Sequence, residues 1–162
     1  MAEPLLEALK SKFGSAVEPG ADFRGEETVI VRKAQLLELC TFLRNDPAFR
    51  FDSMRDLCGA DHYRPDDRFE VVYNLFSIPN KRRLRLKVRI DEADMHVASV
   101  SGIWSTADWL ERETYDMYGI IFDGHPDLRR IYMPEEFEYH PLRKDFPLMG
   151  IPGSLPLPHK QS

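Results

Sequence analysis

The prolines of this chain are unevenly distributed, and their positions restrict its architecture more than any other feature. Five of the twelve lie in residues 1–119, whereas seven fall in the last 43 residues. Proline fixes φ and holds the residue before it in extended geometry, so a segment with a proline every few residues excludes long helices. The pattern predicts an α+β domain over residues 1–119 and an extended, proline-rich C-terminal segment over residues 120–162.

Length, charge and cysteine content narrow the class of protein. A chain of 162 residues is long enough for one domain with its own core. The formal net charge of −5 disfavours nucleic acid as a partner, because nucleic-acid-binding domains are usually basic. Only Cys40 and Cys58 are present, which argues against a disulfide framework or a thiolate-bound cluster.

Membrane insertion and export are not expected from this sequence. The first residues lack the positive charge and the apolar run of a signal peptide. No stretch approaches the roughly 20 apolar residues of a membrane span. Any association with a membrane would therefore be held through a partner.

Two helices and a short strand are predicted in the first 45 residues. Residues 4–13 form a short amphipathic helix that stops at Gly14, and residues 29–31 form a short strand. A second helix is predicted over residues 33–45. Its buried stripe is expected to contain Leu36, Leu37, Cys40 and Leu43.

The middle of the chain has the composition of strands. Residues 49–57 and 69–78 are rich in β-favouring side chains, and residues 84–90 alternate strictly between apolar and basic. The last two strands are expected to form an antiparallel hairpin. Together these patterns predict an α+β fold with an antiparallel-rich sheet and helices packed against it.

The hairpin carries four cations on its outer face: Arg83, Arg85, Lys87 and Arg89. They could attract an acidic partner or a phosphate chain. The more ordinary interpretation is a solvated face, or a sheet edge that Lys and Arg protect from aggregation. No aromatic residues alternate with them, which disfavours a stacking surface for nucleic acid.

A third helix is predicted over residues 106–118. Ser105 or Thr106 is expected to cap its start, and Gly119 can adopt the left-handed conformation that ends it.

Charged residues repeat along this third helix. Asp108, Arg112 and Asp116 are spaced four apart, so Arg112 is expected to bridge two carboxylates on one face. Glu111 and Glu113 resemble a catalytic carboxylate pair. Residues two apart on a helix point in opposite directions, however, so these two do not flank one bond.

The C-terminal segment is too apolar to be a disordered tail. It contains Phe122, Tyr132, Phe137, Tyr139 and Phe146, yet it has no helical or strand period long enough to form its own core. Ordering it costs about 1–2 kcal/mol of backbone entropy per residue. Something else must bury these side chains: either the preceding domain or another protein, with a slight preference for the partner.

No catalytic, nucleotide or metal site is indicated. There is no Gly-rich phosphate-binding fingerprint and no nucleophile motif. His125 and His140 lie fifteen residues apart without a nearby Cys, which disfavours zinc. His125 with Pro126 is more typical of a turn.

Three blocks of sequence carry a resemblance to a known family. Residues 109–120 read Trp-Leu-Glu-Arg-Glu-Thr-Tyr-Asp-Met-Tyr-Gly-Ile, and residues 124–131 read Gly-His-Pro-Asp-Leu-Arg-Arg-Ile. Residues 141–145 then read Pro-Leu-Arg-Lys-Asp. These blocks resemble the signature of the C-type subunit, the 30-kilodalton subunit family, of respiratory complex I, the proton-pumping NADH:quinone oxidoreductase.

The resemblance implies a structural role. It implies a non-catalytic member of the peripheral arm, in the quinone module, at the cytoplasmic side of the bacterial inner membrane. The implied partner is the large hydrogenase-like subunit of the D type, and the implied link to quinone is only indirect. No cofactor is implied in this chain, since FMN and iron–sulfur clusters belong to partner subunits. The alternative is a homologous subunit of a membrane-bound hydrogenase or of a ferredoxin- or F420-dependent dehydrogenase.

On this interpretation, residues 120–162 form a docking segment that lies across the large subunit. Aromatic side chains would be buried anchors, and basic side chains would pair with carboxylates of the partner. The predicted interface residues are Arg112, Asp116, Phe122, His125, Arg129, Arg130, Tyr132, Phe137, Arg143, Lys144, Asp145 and Phe146.

Overall fold

The computed structural model describes residues 5–152, and their three helices and seven strands form an α+β fold. The helices are α1 (Leu5–Phe13), α2 (Leu36–Asn45) and α3 (Ala107–Tyr118). The strands are β1 (Val17–Pro19), β2 (Glu27–Val31), β3 (Ser53–Asp61), β4 (Phe69–Ser77), β5 (Arg82–Ile90), β6 (His96–Ala98) and β7 (Ile121–Asp123). The predicted fold class is confirmed.

Five of the strands form one mixed sheet in the order β1-β2-β5-β4-β3. All neighbours are antiparallel except β2 and β5, which are parallel. The predicted hairpin is present, because β4 and β5 pair from Phe69 opposite Ile90 to Ser77 opposite Arg82. Strands β6 and β7 form a separate parallel pair.

The core lies on one face of this sheet, beneath the helices. Strand β5 is its centre, since Leu86 pairs with Val29 of β2 on one side and Tyr73 of β4 on the other. The alternating residues of β5 are buried as predicted, and they join the apolar residues of all three helices in a single cluster. The alternation thus sets which sheet face receives the helices.

Because β5 is central, the interpretation of its cations as a protected sheet edge is wrong. The interpretation as a solvated face is closer to the structure, although carboxylates contact part of it. Glu26 accepts hydrogen bonds from Arg83 and Arg85, and Glu70 accepts one from Lys87.

The second helix differs from the prediction at its start and in its buried stripe. Residues Lys33–Gln35 form a 3₁₀ turn, and the α-helix begins at Leu36. Leu39 is fully buried, whereas Leu37 is 46% exposed. The sequence spacing allowed either leucine to face inward, and contact with the sheet selects Leu39.

The strand predicted over residues 49–57 lies four residues later, at Ser53–Asp61. A turn precedes it, because the Asp46 carbonyl accepts the N–H groups of Phe49 and Arg50. Arg50 also adopts a left-handed φ of 43°, which is incompatible with a strand. Phe49 and Phe51 are buried from this turn, so apolar content alone misplaced the strand.

The ends of α3 agree only in part with the prediction. Thr106 occupies the N-cap position, but no side-chain hydrogen bond caps the helix, so the predicted hydroxyl cap is wrong. The C-terminal end is as predicted, since Gly119 is left-handed with φ of 80°.

Within residues 5–152, no helix combines the length and the hydropathy needed to cross a bilayer. The longest, α3, has 12 residues and carries Asp, Glu or Arg side chains in every turn.

We predict that Leu86→Ala lowers the free energy of unfolding by about 2–5 kcal/mol, because it leaves a cavity at the centre of the sheet. Urea denaturation of the full chain measures this. The matched control is Leu37→Ala, the same truncation at a half-exposed site, for which we expect a change below about 1 kcal/mol. Equal losses in the two variants would contradict the central position of Leu86.

Candidate functional site

The described part of the C-terminal segment, residues 120–152, folds back on its own domain. It begins as β7, which pairs with β6 through Phe122 opposite Val97. Phe122 is 2% exposed and belongs to the main core. The rest of the segment then runs along α3 and over the end of that helix.

The end of α3 is completed by residues from this segment. The last carbonyl groups of a helix have no partner within the helix. Here the carbonyl of Asp116 accepts from His140 Nδ1 at 3.0 Å, and that of Met117 accepts from the Leu142 N–H at 3.1 Å. The carbonyl of Tyr118 accepts from Arg143 Nε at 2.7 Å. Three successive carbonyls of α3 thus obtain donors from residues 140–143.

Gly119 permits this closure for two reasons. Its φ of 80° is unfavourable for residues with a side chain. A Cβ there would also lie 2.6 Å from His140 Nε2 and 2.9 Å from Arg143 Nη2. The glycine therefore turns the chain and makes room for both donors.

Asp116 is the second attachment point of the segment. Its buried carboxylate accepts from Arg130 Nη1 at 2.9 Å through Oδ1. Its Oδ2 accepts the backbone N–H groups of Ile131, Tyr132 and Met133 at 3.1, 2.7 and 3.0 Å. One carboxylate thereby holds four consecutive residues of the segment against α3.

These contacts keep Asp116 ionised. Burial by itself would raise the pKa of this carboxyl group, but the N–H groups of Met133, Tyr132 and Ile131 and the Arg130 guanidinium outweigh burial. The pKa of Asp116 therefore lies below its usual range, and the attachment is charged at neutral pH.

A third attachment joins the segment to the sheet through Arg68, which precedes β4. Arg68 donates to both oxygens of Asp61 on β3, at 3.1 and 2.9 Å, and to both oxygens of Glu92, at 2.9 and 3.0 Å. It also pairs with Asp145 of the segment at 3.0 Å. Hydrogen bonds to Asp61 and to its other carboxylate partners raise the pKa of the Arg68 guanidinium, and they outweigh burial, which opposes the charge.

Asp61 completes this third attachment. Its Oδ2 accepts the backbone N–H of Lys144 at 2.8 Å, and its Oδ1 accepts that of Tyr63. Burial would raise the pKa of Asp61, but Arg68 and the two N–H donors lower it to about 2. The side chain of Asp61 is 1% exposed, so these interactions are shielded from water.

Aromatic rings form a small satellite core between the attachments. The centroid of Phe137 lies 5.5 Å from that of Tyr139 and 6.2 Å from that of Phe146. Phe137 is 4% exposed, so residues of this chain bury the ring. Ring pairs of this kind each contribute roughly 0.5–1.5 kcal/mol.

Glu111 and His125 also have structural contacts. Glu111 is fully buried and accepts from Ser99 Oγ at 2.6 Å and from the Val100 N–H at 2.7 Å, and burial raises its pKa. His125 accepts the Asp127 N–H at Nδ1, so its Nε2 carries the hydrogen and donates to the Asp108 carbonyl at 3.0 Å. Glu111 and His125 therefore hold the same end of the parallel β6–β7 pair, where both strands finish, against α3.

The predicted bridging role of Arg112 is wrong. Its Nε donates to the Arg129 carbonyl at 3.2 Å, and its guanidinium lies 4.6 Å from the Trp109 ring centroid. Within the described residues, no ion pair joins it to Asp108 or Asp116. Residues four apart on a helix are able to touch, but the carboxylate of Asp116 instead accepts hydrogen bonds from Arg130 and from backbone N–H groups of the C-terminal segment.

The twelve predicted interface residues fall into two groups. Three have exposed side chains outside the attachments: Arg129, Tyr132 and Lys144. The side chains of the other nine contact the α+β domain, the C-terminal segment or the satellite core: Arg112, Asp116, Phe122, His125, Arg130, Phe137, Arg143, Asp145 and Phe146. Asp145 makes such a contact although it is exposed.

Sequence reasoning missed other exposed apolar side chains and the Arg68 attachment. Trp109 is 63% exposed and Leu142 is 52% exposed, and both are more than half exposed like Tyr132, at 65%. No sequence signal connects Arg68 with Asp145, which lies far along the chain. Trp109 lies within the first signature block, so an amphipathic projection of α3 could have identified it.

The site holds buried charges and caps the end of α3. Within residues 5–152, no three His, Cys, Asp or Glu side chains are grouped so as to hold a metal ion. Cys40 is fully buried, and burial raises its thiol pKa. The arrangement is suited to positioning a segment of chain on a rigid domain.

Comparison with protein families gives a match over most of the chain. The family described as "Respiratory-chain NADH dehydrogenase, 30 Kd subunit" matches residues 29–152. In Rhizobium meliloti (strain 1021), NADH-quinone oxidoreductase C subunit 2 is 51% identical over 150 residues, which cover 93% of this chain and 82% of that protein. The NADH-quinone oxidoreductase C subunit of Geotalea uraniireducens (strain Rf4) is 50% identical over 142 residues, 88% of this chain and 85% of that protein.

Solved structures share the fold. The trypsin-resistant fragment (1-134) of Nqo5 is 30% identical, with a TM-score of 0.65 over 75% of this chain and 97% of the fragment. A chain of an archaeal respiratory membrane complex, the membrane-bound sulfane sulfur reductase, gives a TM-score of 0.74 over 90% of this chain and 85% of that chain. The latter is only 19% identical and shows the fold alone.

We predict that Asp116→Asn lowers the free energy of unfolding by about 3 kcal/mol, because an amide cannot accept from Arg130 and from three N–H groups at once. Hydrogen exchange should accelerate at Ile131, Tyr132 and Met133. Asp127→Asn is the control, since it neutralises an exposed pair with Arg129 and should cost less than about 1 kcal/mol. Unchanged exchange at residues 131–133 would contradict the attachment.

We predict a loss of stability in acid that depends on Asp61. A carboxyl group whose pKa is lowered on folding contributes stability above its unfolded pKa, and that contribution disappears as the pH falls to the folded pKa. For Asp61 the window runs from its usual 3.8 down to about 2, and the contribution is about 2 kcal/mol. Urea denaturation across this range should show a shallower pH slope in Asp61→Asn. An unchanged slope in that variant, matching Asp127→Asn, would refute the prediction.

Proposed function

The chain belongs to the family of the 30 kDa subunit of respiratory-chain NADH dehydrogenase, the C subunit of NADH-quinone oxidoreductase, and we propose that it attaches by its C-terminal segment to the large hydrogenase-like subunit. Its role in the peripheral arm of complex I is structural. The C-terminal segment is the proposed docking unit, and residues 1–119 are the proposed platform.

The observation that carries this proposal is the distribution of exposed apolar side chains along α3. Trp109 projects from the helix itself, whereas Tyr132 and Leu142 come from the segment that Asp116 and Met117 hold against it. All three are more than half exposed. Exposed aromatic side chains on a rigid support are typical of binding hot spots.

The attachments of the C-terminal segment support the same proposal. Its backbone is held by buried charges and by the end of α3, so these exposed side chains are ordered before a partner arrives. Ordering a surface in advance reduces the entropy lost on association. The nine predicted interface residues with contacts inside the chain would then position this surface, while Arg129, Tyr132 and Lys144 remain available to a partner.

The rest of the complex would carry out the chemistry. In this proposal, FMN and iron–sulfur clusters lie in partner subunits, and the assembled enzyme passes electrons from NADH to quinone and translocates protons. The chain itself would contribute no catalytic group and would sit at the cytoplasmic side of the inner membrane, held through its partners.

The alternative, a hydrogenase or ferredoxin- or F420-dependent complex, is not favoured. Relatives that are 46–51% identical carry the name of the NADH-quinone oxidoreductase C subunit. The archaeal sulfane sulfur reductase chain shares the fold at much lower identity.

We predict that Trp109→Ser and Tyr132→Ser, combined in the full chain, reduce its recovery with the large subunit by about tenfold or more, since hot-spot aromatics each contribute about 2 kcal/mol or more. Recovery is measured by affinity purification of the tagged large subunit. Leu37→Ser, an exposed apolar residue on α2, is the control and should be recovered like the parent chain. Thermal unfolding of each free chain checks that the substitutions leave folding intact. Parental recovery of the double variant would refute this docking surface.

A further inference from the structure

Two consecutive apolar side chains near the end of the described segment lie almost entirely in solvent. Leu148 is 101% exposed and Met149 is 95% exposed, whereas the next most exposed large apolar side chain of residues 5–152 is Tyr132, at 65%. Because the two residues are adjacent, they form one projection, here called the apolar knob. Single exposed apolar residues are common on protein surfaces, but an adjacent pair without any cover requires an explanation.

The knob stands at the tip of a tight turn. The N–H of Gly150 donates to the carbonyl of Pro147 at 2.9 Å, which closes a four-residue turn with Leu148 and Met149 at its two central positions. Gly, Pro, Asn, Asp and Ser are the usual residues of such turns. Apolar residues at both central positions depart from this local rule, and such departures are expected at functional sites.

The base of the turn is held on the domain, so the knob projects from a fixed support. The centroid of the Phe146 ring lies 6.2 Å from that of Phe137 and 6.4 Å from that of Tyr139. Asp145, directly before Phe146, pairs with Arg68 at 3.0 Å. A tip on a fixed support loses less conformational entropy when a partner covers it than a free tail does.

A groove of about 350 Å³ opens at the foot of the knob. Half of the residues that line it are aromatic or apolar, among them Tyr139, Phe146 and Pro147. Arg143 and Asp145 also line it, and both side chains already bind within the chain. A projection beside a groove is complementary to the relief of a folded protein, whereas a bilayer offers no ridge that would fill the groove.

The charge of the segment also argues for a protein and against a membrane surface. Residues 146–152 carry no charged side chain. Over the whole described segment, residues 120–152, six carboxylates outnumber four cations. Apolar elements that enter membranes are usually accompanied by Lys and Arg, which attract anionic lipid. An uncharged tip on an acidic segment therefore fits an apolar pocket on a protein.

The short distance between the knob and Leu142 indicates which protein this is. Leu148 follows Leu142 by six residues, so their Cα atoms are at most about 22 Å apart. A standard interface buries about 800 Å² on each partner, which is a patch about 30 Å across. Leu142 belongs to the surface proposed above for the large subunit. One partner with an interface of ordinary size therefore reaches both.

We propose that the apolar knob enters an apolar pocket on the large hydrogenase-like subunit. It anchors the end of the C-terminal segment, while Trp109, Tyr132 and Leu142 are covered along α3. The inference rests on the proposed function and adds to it the residues and the pocket chemistry at this end of the interface. Burial of Leu148 and Met149 drives the contact, because neither side chain gives up a hydrogen bond to water when it docks.

Met149 provides a native reporter of this contact. Hydrogen peroxide converts an accessible thioether to the sulfoxide, and mass spectrometry of peptides gives the rate at each methionine. Met54 of β3, which is 3% exposed, is the internal control for a buried thioether.

The first experiment compares these rates in the purified complex and in the full-length chain alone. We expect Met149 to be oxidised at least about tenfold more slowly in the complex, with Met54 slow in both samples. Equal rates at Met149 would overturn the proposal. Oxidation of Met149 in the free chain as slow as that of Met54 would show that the chain covers its own knob, which would also overturn it.

The second experiment combines Leu148→Ser and Met149→Ser in the full-length chain. Recovery with the tagged large subunit should fall by about tenfold or more, since two apolar anchors are removed. The matched control combines Phe23→Ser and Ile78→Ser, which removes two exposed apolar side chains from loops between strands and should be recovered like the parent. Thermal unfolding of the free knob variant should match that of the parent, because the knob has no cover to lose. If the knob variant is recovered like the control, the proposal is wrong.

The outcomes separate this inference from the proposed function. If the parent chain is not recovered with the large subunit, the proposed function fails. If the parent is recovered and the knob variant matches it, only the knob contact fails. Binding of the free chain to phosphatidylglycerol vesicles that the knob variant loses, without protection of Met149 in the detergent-purified complex, would assign the knob to lipid and overturn the proposal.

Discussion

A helix that ends inside a protein leaves its last carbonyl groups without partners in the helix. The rest of this structure depends on which groups donate hydrogen bonds to those carbonyls of α3. The carbonyls of Asp116, Met117 and Tyr118 obtain donors from a stretch of chain that begins at His140. Because unpaired buried carbonyls cost free energy, α3 and the C-terminal segment stabilise each other. Gly119 makes the approach possible, since a side chain there would occupy the space of the donors.

Charge extends this closure to the sheet. Asp116 on α3 accepts backbone N–H groups of the segment, and Asp61 of β3 with Arg68 holds the segment at the sheet. Both carboxyl groups are buried, yet both have lowered pKa values because their donors outweigh burial. Removing one partner from such a cluster leaves a buried charge uncompensated, which is more costly than losing a surface ion pair.

Patterns with a short period predicted much of this fold. The alternation on β5 and the glycine after α3 determined the core face and the helix end, because each depends on neighbouring residues. The shift of β3 and the exposure of Leu37 were not predictable in this way, since a turn around Asp46 and contact with the sheet decide them. The contacts of Arg68 join distant positions of the chain. Local sequence contains no signal for them.

The capping of α3 has a consequence for biosynthesis. A ribosome produces every strand of the sheet and the whole of α3 before it produces His140, Leu142 and Arg143. Until then the terminal carbonyls of α3 have only water as a partner, while the sheet is able to collapse as its strands emerge. Closure of the domain is thus a late step that follows synthesis of the sheet and of α3, and the segment residues beside α3 are held against the helix only then.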